Sequence, residues 1–417
     1  MRADKKEIPA LTGLRGVAAL FVVFTHYFVW CATFDWKTAP RWLIELFHTS
    51  DHGMTLFFTL SGFVITYNYF EFGWDETPLR SFFRFAWLRF SRLYPALLLF
   101  IVLTINPRPL AALTEHPFNT WVMLHVFNLE TWIPAKFAGV LPINGTFSVI
   151  WSISTEFMLY FMFALAVIVG HGFHRRGQGK LFLAILALIG IALILLAIIP
   201  SMRAPLYLHL WQPMEPLTDT DWDRWFFYLS PYFRITNFAL GAAAAWMVMY
   251  RHKTIVTYRA YFSAVALVAA ILMLSFHVFV TVGRLVPVLN GALLPIAELL
   301  TALLFALIMV DSQSDTFINR ALSSRSLVTI GNISYSLYLF HEFSPRLGVY
   351  QPGVAFSWIA VPRSILNFGM SFLLAIALAY GLWCVVERPA QRWLRALIPD
   401  RRRQLPVPIE TAEPRTS

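Results

Sequence analysis

Ten apolar stretches close to membrane-crossing length recur along the chain: 12–32, 53–70, 93–106, 149–169, 181–200, 230–250, 260–282, 285–310, 327–344 and 364–386. A bilayer core takes about 20 apolar residues of helix, and hydrocarbon satisfies no backbone hydrogen bond, so such stretches cross only as helices. Composition agrees: 58% of the 417 residues are apolar and 13% charged, about half the charged share of a soluble domain. The expected fold is all-α, a polytopic membrane domain over 1–393 with about ten transmembrane helices. A polar tail over 394–417, expected to be disordered, follows it. The third stretch is short for a bilayer. The segment 118–133, "FNTWVMLHVFNLETWI", is too short and too polar to count, and reads as a re-entrant or interfacial helix.

Orientation follows the distribution of Lys and Arg. With both termini cytoplasmic, the inner segments hold 23 of the 33 basic residues, as the positive-inside rule requires. Counting 118–133 as a span would push "HGFHRRGQGK" outside. The net charge of +10 is then mostly an inner-face asymmetry suited to anionic lipid. No basic module stands apart from the membrane, which excludes nucleic-acid binding. The first apolar stretch is too long for a signal peptide and another span follows closely. Cys31 and Cys384 fall near opposite faces, against a disulfide. The absence of an internal repeat disfavours inverted-repeat transporters.

Polar residues inside the apolar stretches carry the functional argument. "GLRGVAALFVVFTHYFVW", Gly13 to Trp30, contains Arg15 and His26. Eleven residues at 100° each return to within about 20° on one helix face, roughly 16 Å further along the axis. Arg15 is a snorkelling anchor or the start of a polar path. His26 is a satisfied structural histidine or a functional group, since an ionisable side chain deep in a span costs about 2–3 kcal/mol and usually faces a cavity. A neutral imidazole there has the form a general base needs.

Further groups point the same way. Ser61-Gly62 permits close helix approach, with Ser61 also a candidate substrate contact. "RSFFRFAWLRFSRLYP" interleaves arginines with aromatics, as a helix lying on anionic lipid does. Yet Arg89 and Arg92 are i,i+3 neighbours, a pair suited to clamping one phosphate. Glu156 stands in an apolar helix with Ser152 and Tyr160 four residues away on its face. It orients His26, binds substrate hydroxyls or pairs with an arginine. In "ISYSLYLFHE", Ser334, Tyr338 and His341 share a face, and His341 falls towards the outer rim. Several motifs fail: "HEFSP" is no HExxH zinc site, "GHGFHRRGQGK" lacks the phosphate-loop glycine and Ser/Thr, and no His/Cys cluster suggests a metal. His125 and Glu130 form an isolated H-x4-E pair.

The segments "GLRGVAALFVVFTH", "GMTLFFTLSGFVI", "RFSRLYP", "WSISTEFMLY", "ISYSLYLFH" and "VVERPAQRW" resemble the integral membrane acyltransferase 3 family over about residues 8–393. The resemblance implies ten core helices and transfer of an acyl group, commonly acetyl, from cytoplasmic acyl-CoA. Family acceptors include bacterial polysaccharides, lipopolysaccharide, peptidoglycan, Nod factors and some small molecules. The family's Arg/Lys-x10-His falls on Arg15 and His26, and its Arg-x-x-Arg on Arg89 and Arg92. Its Trp-Ser-x-x-x-Glu falls on Trp151, Ser152 and Glu156, with Tyr160 in register. Where many members carry an acid, Thr55 stands here. Some members add a hydrolase-like SGNH domain. About 30 residues follow the last expected span, so that domain is not expected, and a separate envelope acyltransferase or polysaccharide-assembly protein is a possible partner.

The resulting expectation is an O-acyltransferase of the inner (plasma) membrane. Arg15, Arg89 and Arg92 would hold acyl-CoA, and His26 would act as base or as an acyl-histidine, aided by Glu156 and Tyr160. Ser61, Trp151, Ser152, Tyr338 and His341 would contact a carbohydrate or glycolipid acceptor, with no metal. The stretch 205–225, rich in Trp and acids, is a further candidate sugar contact. The rival expectation is a transporter or flippase for a lipid-linked or acylated substrate.

Overall fold

The computed structural model describes residues 8–30, 50–72, 74, 77–105, 118–134, 148–203, 218–284, 290–343 and 363–398. A helix stands at each of the ten expected positions: α1 (Pro9–Trp30), α2 (Ser50–Tyr69), α3 (Pro78–Ile105), α5 (Trp151–Arg175), α6 (Gly179–Ile198), α8 (Pro231–Tyr250), α10 (Arg259–Arg284), α11 (Asn290–Val310), α13 (Arg325–Phe340) and α14 (Arg363–Leu382). Short helices α4 (Phe118–Phe127), α7 (Asp219–Asp223), α9 (His252–Thr257), α12 (Phe317–Leu322) and α15 (Arg388–Ala396) lie between or after them. No strand occurs among the described residues. Five of the described stretches are long and apolar enough to cross a membrane: Pro9–Tyr27, Pro78–Ile105, Trp151–Arg175, Gly179–Ile198 and Phe368–Ala396. Others fall short for local reasons: α2 carries Asp51, His52 and several hydroxyls, and α13 has 16 residues.

The expected short third span and the arginine-rich helix before it are one element. α3 runs unbroken for 28 residues through Pro95, about 42 Å at 1.5 Å per residue. Its charged half enters the bundle because aromatic rings cover the cations. The Arg89 guanidinium lies over Tyr69 at 4.6 Å and near Phe85 and Tyr160 at 5.9 and 5.8 Å.

Small residues decide which helices meet. A Cβ on Gly62 of α2 would overlap the Phe238 carbonyl of α8, and one on Gly241 of α8 would overlap the Thr59 carbonyl of α2. Such backbone approach is how helices associate where lipid removes the hydrophobic drive. On the opposite side, Gly331 of α13 rests on the Thr12 carbonyl of α1. α1 is thereby held between α2 and α13. By contrast α6 buries Ala197 alone and exposes Leu181, Leu183, Leu188 and Ile191, as expected of a helix on the lipid perimeter.

The 118–133 segment does not continue as a span. α4 stops at Asn128, whose φ is 54°, and the chain folds back on α5. Asn128 donates to the Tyr94 hydroxyl at 3.0 Å, Ser154 donates to the Asn128 carbonyl at 2.9 Å, and the Trp132 indole donates to the Ser154 carbonyl at 3.1 Å. At the chain's far end, a π-helical turn at Trp383–Glu387 links α14 to α15 and leaves Glu387 buried. The Trp87 indole of α3 donates to the Leu394 carbonyl of α15 at 2.9 Å. Residues 204–217, most of the candidate sugar-contact stretch, and the tail from 399 lie outside the described residues.

Candidate active site

α1, α2, α3, α5 and α13 line a cavity whose empty space, about 750 Å³, includes its open mouth. At one end the wall is basic: Arg15 from α1 with Arg89 and Arg92 from α3. The i,i+3 spacing of the pair sets both side chains on one face of α3. Arg89 is 5% exposed, yet its one hydrogen bond goes to the Tyr69 hydroxyl and its Nε has no partner. No carboxylate pairs with it among the described residues. Buried donors are rarely left unbonded, and a buried cation without an anion is costlier still. Arg89 therefore has hydrogen-bonding capacity to offer a group that enters the cavity.

Further in, Glu156 of α5 lies on the wall with its Oε1 taking two short hydrogen bonds, from Ser61 of α2 and from Tyr160 one turn along α5. Ser152, one turn the other way, donates to the Tyr338 hydroxyl at 2.8 Å, and Tyr338 donates to the Val149 carbonyl at 2.6 Å. Both residues line the cavity. The polar path thus runs from three arginines through a carboxylate to a serine–tyrosine pair.

His26 is not on this wall. It lies against His341 of α13, with His26 Nδ1 and His341 Nε2 2.7 Å apart and the rings 1° from parallel. His341 is fully buried. Its ring centroid lies 6.2 Å from that of Tyr338, so the imidazole pair stands one side-chain layer beyond the cavity. The Tyr27 hydroxyl donates to the His341 carbonyl at 2.6 Å, a second tie between α1 and α13.

Three expected roles change with these positions. Glu156 does not orient His26, because its Oε1 is taken by Ser61 and Tyr160; the residue against His26 is His341. His341 does not line the cavity: close packing of α1 on α13 buries it against His26. Trp151 is also absent from the wall. It packs against Tyr228 and Phe58, at 5.0 and 6.2 Å between ring centroids. The isolated pair His125 and Glu130 is buried in the α4 turn and takes no part in the cavity lining.

The family comparison covers every helix that lines this cavity. A family model described as "Acyltransferase domain" matches residues 8–387. The chain belongs to the acyltransferase 3 family. It is 28% identical over 399 residues to acyltransferase MdmB of Streptomyces mycarofaciens, covering 93% of this chain and 92% of that protein. It is 25% identical over 394 residues to the peptidoglycan O-acetyltransferase OatA of Listeria monocytogenes, covering 90% of this chain. There the chain spans only 55% of OatA's length. No solved structure matches. The protein is therefore an acyl-transferring membrane enzyme. Of the residues the family motifs mark, Arg15, Arg89, Arg92, Ser152, Glu156 and Tyr160 surround one cavity.

Three charged residues near this region escaped the sequence reading. Glu387, 5% exposed, takes a 2.7 Å hydrogen bond from Ser336 and lies within electrostatic reach of Arg92 and Arg15. Arg234 of α8, fully buried, forms an ion pair with Glu298 of α11 at 2.6 Å and donates to Thr55 at 3.4 Å. Thr55 and Glu298 thus meet on one guanidinium from two different helices. Each was visible as a lone charge in or beside an apolar stretch, the same signal that marked His26 and Glu156.

Proposed function

We propose that this chain is a ten-span O-acyltransferase of the inner (plasma) membrane, with cytoplasmic termini, that moves an acetyl-sized acyl group from acyl-CoA to a hydroxyl of a cell-envelope carbohydrate. Peptidoglycan, the acceptor named for OatA, exemplifies that class. The observation that carries the reading is the convergence of Arg15, Arg89 and Arg92 on one cavity. Three arginines, one of them buried with an unbonded nitrogen, meet the need of a ligand bearing several phosphates.

Bound there, acyl-CoA extends its thioester arm past Glu156 towards Ser152 and Tyr338. The acceptor hydroxyl enters from the opposite end and gives its proton to His26 as its oxygen attacks the thioester carbonyl. The C–O bond forms, the C–S bond breaks, and the CoA thiolate takes the proton from the imidazolium. Binding of acceptor or acyl arm opens the Tyr338 layer, bringing His26 to the carbonyl. Glu156, held by Ser61 and Tyr160, orients the acceptor's other hydroxyls.

The test uses purified protein in lipid nanodiscs with radiolabelled acetyl-CoA and envelope glycan. Turnover releases free CoA and labels the glycan, and His26→Ala is expected to lower kcat by about 10²- to 10⁴-fold. Full turnover in His26→Ala at equal folded protein would overturn the base assignment. Movement of substrate without CoA release would make the protein a transporter.

A further inference from the structure

The hydrogen bonds at His341 fix more than its position. His341 Nδ1 lies 2.7 Å from the Tyr338 carbonyl oxygen. A carbonyl only accepts, so that nitrogen carries the proton, and the Nε2 of the neutral ring holds a lone pair. This lone pair faces His26 Nδ1 at 2.7 Å, and the 5.0 Å between the centroids of the two parallel rings fits an end-on, in-plane N–H···N bond. Two lone pairs cannot share that contact. His26 therefore carries its proton on Nδ1 and presents its lone pair on Nε2, the far edge of the ring.

We infer that His341 is the positioning residue that sets the reactive tautomer of His26 and stabilises the imidazolium formed when His26 accepts a proton. When Nε2 takes the acceptor's proton, the Nδ1–H already aimed at His341 becomes a charge-assisted donor. The partner needs no rearrangement. His341 is completely buried, so no solvent competes for its lone pair. Its backbone is anchored by Tyr27, the residue next to His26. A second group that fixes tautomer and ring orientation is a recurrent need of catalytic and metal-bound histidines. Here a neutral imidazole fills it.

The inference rests on His26 acting as the base, and the experiment separates the two claims. Acetyl-CoA consumption is followed in the purified protein with His26→Ala and with His341→Leu, His341→Asn and His341→Gln, and melting temperatures are recorded for each. Gln places an acceptor oxygen where Nε2 stood, whereas Asn is too short and Leu has none. His341→Leu and His341→Asn are expected to lose about 10- to 100-fold in kcat with KM for acetyl-CoA unchanged. His341→Gln should recover most of that loss. Should Leu destabilise the bundle, the contrast between Gln and Asn at matched folded fraction still decides. Equal impairment in Gln and Asn, or a change in KM alone, overturns the positioning role. An inactive His26→Ala beside a fully active His341→Leu overturns this inference and leaves the proposed function standing. Full activity in His26→Ala overturns both.

Discussion

Two buried arginines show what separates a structural charge from a functional one. Arg234 is closed on itself. Its Nη1 and Nη2 reach both oxygens of Glu298 at 2.6 and 3.2 Å, its Nε donates to the Tyr228 carbonyl at 2.8 Å, and the Tyr228 and Phe58 rings lie 4.9 and 5.4 Å away. Arg89 has similar aromatic cover but one hydrogen bond, an unbonded Nε and two further arginines on the same cavity wall. The first site has spent its donors on neighbouring helices and ties α8 to α11. The second keeps donors and charge in reserve, which a low-dielectric interior tolerates where a ligand supplies the missing anion.

That contrast breaks most readily at Glu298. Glu298→Ala strands the buried Arg234 and should destabilise the fold by about 3–5 kcal/mol, read as a lower melting temperature in detergent. Replacing both partners, Arg234→Met with Glu298→Leu, should restore most of the loss, because two well-packed apolar side chains leave no buried charge. If Glu298→Ala melts like the wild type, the pair is not structural. Arg89→Ala should do the reverse. Its melting temperature stays near wild type while KM for acetyl-CoA rises about 10- to 100-fold, the worth of a charge-assisted hydrogen bond to phosphate. Unchanged KM would reduce Arg89 to a membrane anchor.

Finer tests sharpen the same difference. Adenosine 3′,5′-bisphosphate, which carries the charged end of CoA without the thioester, should compete with acetyl-CoA in the wild type. The competition should weaken in Arg89→Ala and persist at full strength in Ser61→Ala. The smallest effect is expected from Ser61→Ala, which removes one of two donors to Glu156 and should lower kcat by roughly fivefold, about 1 kcal/mol. A larger fall in melting temperature than in kcat there would make the Ser61–Glu156 bond a packing contact.

Much of the architecture was legible in the chain. Each apolar window coincides with a helix among the described residues, because helix formation in an apolar stretch is governed by local hydropathy and length. Polar exceptions inside those windows identify Arg15, Ser152, Glu156 and Tyr160, and the i,i+3 pair Arg89 and Arg92 stands just before the third window; the fold brings all six to one cavity. The same rule applied to "YFRITNFAL" and "PIAELLTAL" would have flagged Arg234 and Glu298. What no window reveals is which lone charge pairs with which, since α8 and α11 meet through tertiary packing across 64 residues of chain.

Periodicity and hydropathy are properties of neighbouring residues, and they suffice to place the long apolar helices, the family and the face of each helix that bears polar groups. Partnership between side chains emerges only when the helices pack. His26 lies against His341 rather than Glu156, Trp151 turns into packing, and Arg89 is left without a carboxylate. Those outcomes depend on glycine contacts such as Gly331 on Thr12, which fix how closely two helices approach and therefore which side chains meet.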